Sequence, residues 1–445
     1  MKATAPSPTR DVQVERLDVK GRGVATSSEG RAVLVHGGLP GERVRVRIDG
    51  GGQHQDHGVV SELLSSSPDR VAPFCERVDE CGGCAVQHLA LSAQRKWKTG
   101  RVREALQSVG LDPDVVEDCQ GVGETRGFRA KLLWMVETGP DGLLELGLFQ
   151  PHSHALVALD ACPVQDVVTE STLVPIREVL RRHAVSELWL RALLVRSNGS
   201  DAQVVLVARE DVPSPDVALL AEELVALDRV VGAFVNWTPP EGNALLGPGT
   251  RLLAGRERLR HAFDGFALEV SPTSFFQTHL GGAARLVEVV RDLSPERIGR
   301  VVDLYSGAGL FAAALADRAT EVLAVEREGS SSRDGVHNLR ALGRDSVRME
   351  VAAVESHVRS AALADLVILD PPRAGCQPGV LEAVADRMRP ERVLMVSCGL
   401  SGFARDAAAL VGRGYLLDTV QPLDLFAHGP HVELVARLTR VAAPN

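Results

Sequence analysis

From about residue 298 the sequence repeats one pattern: a short apolar run ending in a polar or small residue, then a stretch with helical spacing. The runs are RVVDLYSGAGLFAAALA, EVLAVERE, VRMEVAA, ADLVILDPPR, RVLMVSCG, YLLDTVQPLD and HVELVARL. Strands that are apolar throughout are buried on both faces, and strands separated by helices are joined by crossovers. Together these features dictate a doubly wound, mostly parallel α/β sheet. Ligands of such sheets bind outside the carboxyl ends of the strands. Four strand ends place chemistry there: Asp303, Glu326, Asp370 and Cys398.

The run from Val301 to Gly309 is a strand that ends in Asp303 and passes through Gly307 and Gly309 into a helix. Glycines at those positions let the backbone approach a ligand lying across the strand end. A third glycine for pyrophosphate is missing, as is the Lys-Ser/Thr of a phosphate loop, which argues against a dinucleotide redox enzyme. Glu326 closes the next strand 23 residues after Asp303, where a carboxylate can bond ribose hydroxyls. This pattern predicts a nucleoside cofactor. Asp370 is followed by Pro371 and Pro372, which stiffen the turn and remove two backbone donors. Cys398 ends the run Val393–Ser397. Burial in the core is the ordinary fate of a cysteine, so its place at a strand tip beside three acids is what makes it a candidate nucleophile.

Ahead of this region lie two others. Residues 11–64 alternate short β-like runs with glycine-rich turns, the pattern of a small barrel. Residues 1–50 carry nine Lys/Arg against six Asp/Glu, although the whole chain has a net charge of −9. Arg43, Arg45 and Arg47 have strand spacing and share one face, which suits either a solvated strand or single-stranded RNA. Residues 125–270 read as an α+β region with helical patterns near 166–183 and 214–227. Its basic residues, Arg126, Arg129, Lys131, Arg191 and Arg196, are candidates to face substrate. Between the two regions, RKWKTGRVRE (95–104) is either a solvated helix face or a phosphate-contacting one. The expected boundaries are a barrel over 1–66, a central α+β domain over 67–264 and the α/β domain over 265–445.

Of the seven cysteines, Cys75, Cys81 and Cys84 fall within ten residues. With no signal-peptide pattern and no long apolar run, the chain is expected in the cytoplasm, where such crowding points to a metal rather than to disulfides. Cys162 is the best fourth ligand. Four thiolates suit structural zinc or an iron–sulfur cluster, and spacing does not separate them.

The ordered set SPTSFFQ (271–277), DLYSGAG (303–309), DPPR (370–373), VSC (396–398) and HVE (431–433) resembles the S-adenosylmethionine-dependent RNA uracil-5-methyltransferases. The N-terminal barrel resembles their TRAM domain, and the cysteine pattern resembles the 4Fe-4S site of their ribosomal-RNA branch. The resemblance implies that Gln277, Asp303, Tyr305, Gly307, Gly309, Glu326 and Asp370 lie at the cofactor, with Asp370 also reaching the target base. It makes Cys398 the nucleophile, Glu433 the base that removes the C5 proton, and Cys75, Cys81, Cys84 and Cys162 the cluster ligands. The expected partner is RNA, ribosomal rather than transfer, bound by a monomer with no membrane contact. Two departures stand out. Gly399-Leu400 replaces the usual Asn-Pro or Asp-Pro, which predicts a looser turn at Cys398. Ala427 stands where relatives commonly have proline. The rival reading is a non-catalytic RNA-binding protein that retains the cofactor fold.

Overall fold

The computed structural model describes residues 8–52, 55–151, 153–209, 216–238 and 244–441. The chain forms two compact units. One is built on the residues up to Arg101 together with Phe149–Ala155 and Phe426–His431; the other takes Val102–Leu148, Leu156–Leu425 and the chain from Val432 onward.

In the first unit, β1 (Thr9–Leu17), β2 (Gly23–Thr26), β3 (Ala32–His36), β4 (Arg43–Gly51) and β5 (Gln55–Ser65) close a barrel in the order β1-β2-β3-β5-β4. Strict alternation sends Val12, Val14, Val44 and Val46 inward, where Ala25, Val33 and Val35 join them. Arg43, Arg45 and Arg47 point out as the period requires. Arg45 is paired with Asp11 at 2.8 Å across the β1–β4 ladder and with Glu62. Helix α1 (Leu91–Gln107) starts in this unit.

The second unit holds two large sheets. β6 (Gln120–Gly121) belongs to the eight-stranded sheet described below. The other sheet has seven strands: β7 (Lys131–Thr138), β8 (Leu144–Phe149), β9 (Leu156–Ala158), β10 (Leu190–Ser197), β11 (Ala202–Arg209), β12 (Val230–Thr238) and β13 (Thr250–Gly255). Their order is β13-β12-β11-β10-β7-β8-β9. β10 runs antiparallel to both β7 and β11, while β11 is parallel to β12. Helices α2 (Val167–Arg182) and α3 (Val217–Val225) fall within the two helical patterns of the sequence, each capped by an aspartate, Asp166 and Asp216. A hairpin, β14 (Leu259–Phe263) and β15 (Phe266–Val270), turns at Asp264-Gly265 with Gly265 at φ 82°.

After α4 (Leu280–Leu293) strands and helices alternate: β16 (Ile298–Leu304), α5 (Leu310–Leu315), β17 (Ala319–Glu326), α6 (Gly329–Ala341), β18 (Val347–Val351), α7 (Val354–His357) and β19 (Leu366–Leu369). Then come α8 (Val380–Ala383), β20 (Arg392–Ser397), α9 (Leu400–Val411), β21 (Tyr415–Asp424) and β22 (Glu433–Arg440). The sheet order is β18-β17-β16-β19-β20-β22-β21-β6. β16 to β20 are parallel, and β22 enters antiparallel between β20 and β21. Val301, Val302, Val322–Val325, Leu366–Leu369 and Val393–Val396 are all buried, as continuous apolar runs covered on both faces must be. Among the described residues no helix is long and apolar enough to cross a membrane.

Candidate active site

The sheet order reverses between β16 and β19, and at that switch point the crossovers diverge to opposite faces and leave a crevice. Asp303 closes one side. It is fully buried; its Oδ2 accepts the Ala312 amide at 2.9 Å, and its Oδ1 has no partner among the described residues. Burial, then the neighbouring Asp370, holds its carboxyl well above the usual range, against the pull of the Ala312 amide. A buried acceptor left open is costly, and it fits a ligand that donates a hydrogen bond there. Asp370 closes the other side, its amide on Leu304 O at 3.3 Å. Burial, then Glu326, pushes its carboxyl up to about 7.

The turn after β16 takes Tyr305, Gly307 and Gly309 through positive φ, at 63°, 56° and 89°. The glycines adopt this without strain. Tyr305 does not, which marks the turn as one held for a purpose. Its hydroxyl accepts the Gln377 amide at 3.5 Å. The Gly307 amide donates to Glu326 Oε2 at 3.0 Å, and Glu326 Oε1 accepts the Arg327 and Glu328 amides at 2.7 Å each. The Glu326 carboxylate is thereby fixed at the tip of β17. Asn338 of α6 ties the turn by donating to Ala308 O at 3.0 Å.

Gln277 is half-buried at the end of a loop organised by buried Asp334. That carboxylate accepts the Ser271 amide (2.7 Å), the Ser271 and Ser274 hydroxyls (2.6 and 2.5 Å) and Arg258 Nε (2.8 Å). Arg196 does not face substrate as its sequence position allowed. It is buried and donates to the carbonyls of Ser271 (2.9 Å) and Ser274 (2.5 Å). Lys131 reaches Ser274 O at 3.4 Å, and burial with the nearby Arg196 charge lowers its pKa well below the usual lysine range. Asp334 and Arg258 carry no motif signal, because their roles exist only once β14, α6 and the loop are packed together.

Cys398 and Glu433 meet through strand register. Ser397 of β20 pairs with Leu434 of β22 in an antiparallel ladder, so the next residues along, Cys398 and Glu433, are neighbours. Glu433 is only 4% exposed. Burial, then Asp370, pushes its carboxyl well above the usual range, while Arg373 opposes the rise. Burial and Glu433 raise the Cys398 thiol, and a hydrogen bond and charge from Arg373 pull it back. Arg373, the last residue of DPPR, is thus the functional group that sequence reasoning left without a role. The turn at Cys398 is closed by contact rather than by proline. A Cβ at Gly399 would overlap the Arg373 carbonyl, and one at Gly402 would sit 2.8 Å from Arg373 O and Gly375 N.

Cys75, Cys81 and Cys84 are half-buried and Cys162 is buried. The Gly83 amide donates to Cys81 Sγ at 3.4 Å. Among the described residues, no group of three or more Cys, His, Asp or Glu is gathered tightly enough to hold a metal ion. In α1, two of the basic residues named as candidates for phosphate contact serve inside the fold: Lys98 is fully buried and donates to Phe426 O at 2.9 Å, and Arg101 donates to Pro430 O.

Residues 8–50 match the TRAM domain. Over 97% of its length the chain is 34% identical to an RNA methyltransferase of Gloeobacter violaceus, covering 96% of that protein. It is 32% identical to the 23S rRNA (uracil(1939)-C(5))-methyltransferase RlmD of Halomonas elongata, over 95% of this chain and 88% of that one. Among solved structures, the Pyrococcus abyssi tRNA (uracil-54, C5)-methyltransferase in complex with S-adenosyl-L-homocysteine superposes with a TM-score of 0.77 at 26% identity, covering 97% and 99% of the two chains. A switch-point crevice lined by carboxylates, a thiol paired with a buried acid, and full-length similarity to these enzymes lead to one assignment. The chain belongs to the S-adenosylmethionine-dependent RNA uracil-C5 methyltransferases.

Proposed function

We propose that the protein methylates C5 of a uridine in large-subunit ribosomal RNA by way of a covalent bond between Cys398 and C6. The observation that carries this reading is the β20–β22 register, which sets the Cys398 thiol beside the buried Glu433 carboxyl. Ribosomal RNA is favoured by the TRAM match and by the similarity to RlmD. Transfer RNA is the second reading, favoured by the structural similarity to the tRNA enzyme. RNA is held by the barrel of residues 1–66 and by the central region, 67–264, and the chemistry is done by 265–445, in a chain acting as a monomer in the cytoplasm.

Bound S-adenosylmethionine supplies a methyl carbon activated by a sulfonium. The open Asp303 oxygen and the Glu326 carboxylate fit its hydrogen-bond donors at the switch point, with Tyr305, Gly307 and Gly309 shaping the turn and Gln277 closing from the 271–277 loop. The Cys398 thiol, held above its ordinary pKa, rests protonated and loses that proton to solvent as sulfur adds to C6, with Arg373 stabilising the anion. Addition moves electrons onto the O4 enolate and makes C5 nucleophilic. Once C5 carries both a methyl group and hydrogen, Glu433, after releasing its own proton to solvent, takes the C5 proton as a carboxylate. A carboxylate of raised proton affinity is the stronger base for that task. The returning electrons expel the Cys398 sulfur and release 5-methyluridine. Asp370, beside both groups, reaches the base.

A 4Fe-4S cluster on Cys75, Cys81, Cys84 and Cys162 is part of the proposal, supported by the Cys-x5-Cys-x2-Cys spacing and by the Gly83 amide aimed at the Cys81 sulfur. No step is routed through it.

RNA containing 5-fluorouridine, which has no C5 proton to lose, is expected to form a covalent adduct that survives denaturing electrophoresis. The adduct disappears in Cys398→Ala. Absence of adduct with the unaltered enzyme sinks the covalent mechanism and favours the RNA-binding alternative. Mapping 5-methyluridine in ribosomal and transfer RNA with and without the gene decides the substrate.

A further inference from the structure

Glu433 is the first residue of its strand, so one side of its backbone is set by the ladders to β20 and β21 and the other by the turn that precedes it. That turn, Phe426–His431, lacks the proline expected at Ala427, and it holds His428 at φ 65°, a left-handed conformation that a non-glycine residue rarely keeps unaided. What keeps it is a set of contacts within its own unit. The Gln94 side chain accepts the His428 amide at 2.9 Å and is itself locked by donating to Leu89 O at 2.7 Å and Val86 O at 3.1 Å. The Ala85 and Val86 amides both donate to His428 O, at 2.9 and 3.0 Å. Lys98 donates to Phe426 O at 2.9 Å and Arg101 to Pro430 O, so the turn is gripped at its first residue, its middle and near its end. The Phe74 ring meets the His428 ring edge-on at 5.0 Å. Gln94 and Lys98 are completely buried, far from the ordinary environment of either residue type.

We propose that Gln94 and Lys98 of α1, with the backbone of residues 85–86, are positioning residues for the proton-abstraction step. They fix the turn from which the chain runs, two residues after His431, into Glu433. Ala85 directly follows Cys84, so the cysteine segment ends at a residue that bonds this same turn. The inference rests on the reading of Glu433 as the C5 base. A base displaced by an ångström loses rate steeply while binding elsewhere is untouched. The loss therefore falls on one step, after the methyl group has arrived and before the thiolate leaves.

The test uses the full-length holoenzyme with large-subunit rRNA from cells lacking the gene, plus S-adenosylmethionine. Gln94→Ala and Lys98→Met are expected to lower kcat by about 10–100-fold with KM for both substrates unchanged. They accumulate the methylated protein–RNA adduct on denaturing gels, as Glu433→Gln does. Lys98→Arg restores part of the rate. Arg101→Ala, at a half-buried position, examines the same turn should the buried variants not fold. A fall in rate without adduct, or a rise in KM alone, overturns the proposal. If Glu433→Gln itself traps no adduct, the assignment of Glu433 as base fails first, and the two failures are told apart.

Discussion

Arg373 favours the Cys398 thiolate against a net upward shift. Burial and the Glu433 carboxyl both disfavour the anion, and the guanidinium opposes them with a hydrogen bond and a positive charge. In the proposed mechanism the attacking form is the thiolate, so kcat/KM is expected to climb with pH through the alkaline range, with its midpoint above the ordinary thiol value of ~8.5. Removing Arg373 takes away a group that favours the charged form, so the midpoint moves up. In Arg373→Met, a pH–rate profile should show the rising limb displaced toward higher pH. At neutral pH activity falls about tenfold for each unit of displacement. An unchanged midpoint would mean that Arg373 does not act on the sulfur. Gly399 belongs to the same account. The sequence predicts a looser turn without proline, yet the Arg373 carbonyl lies against the bare Cα of Gly399 and leaves no room for a side chain. The thiol and its guanidinium partner are held by the same close approach.

At the level of elements, the loop carrying Gln277 has one turn bond of its own, Ser274 N to Ser271 O at 3.3 Å, and is held otherwise by Asp334 of α6 together with Arg196. Removing that carboxylate strands two hydroxyls, an amide and Arg258, and breaking a buried charged pair costs about 3–5 kcal/mol. Asp334→Ala is therefore expected to lower the melting temperature and to weaken S-adenosylmethionine binding at least tenfold by titration calorimetry. Asp334→Asn retains part of both. Binding that survives Asp334→Ala unchanged would remove the loop from the cofactor site. The motif SPTSFFQ was visible as a string, but its support was not, since Arg196, Arg258 and Asp334 come from three elements far apart in sequence. Helix α1 teaches the same lesson in reverse. Its basic composition suits a solvated face or a phosphate-contacting one, whereas Lys98 is turned wholly inward.

Across the whole molecule, the crowded cysteines remain the test of what the sequence pattern means. Protein purified without oxygen is expected to be brown, with iron and acid-labile sulfide. One zinc per chain and no sulfide would replace the cluster by a structural zinc site. The barrel and the doubly wound sheet were legible because period-two alternation and unbroken apolar runs are local consequences of which face is buried. The strand-tip residues Asp303, Glu326, Asp370 and Cys398 were legible for the same reason: a parallel sheet puts the end of every strand at one edge. Glu433 was different. Nothing local distinguishes it from a solvated acid at a strand start, and its resemblance to a family motif named it without placing it. Its partnership with Cys398 comes from an antiparallel strand inserted between β20 and β21, a register that only long-range pairing sets. So the sequence alone determined which residues could do chemistry and at which edge of the sheet they would stand. The tertiary structure alone decided which of them stand side by side and what holds them there, because burial and neighbouring charge, the forces that tune these groups, arise only from packing.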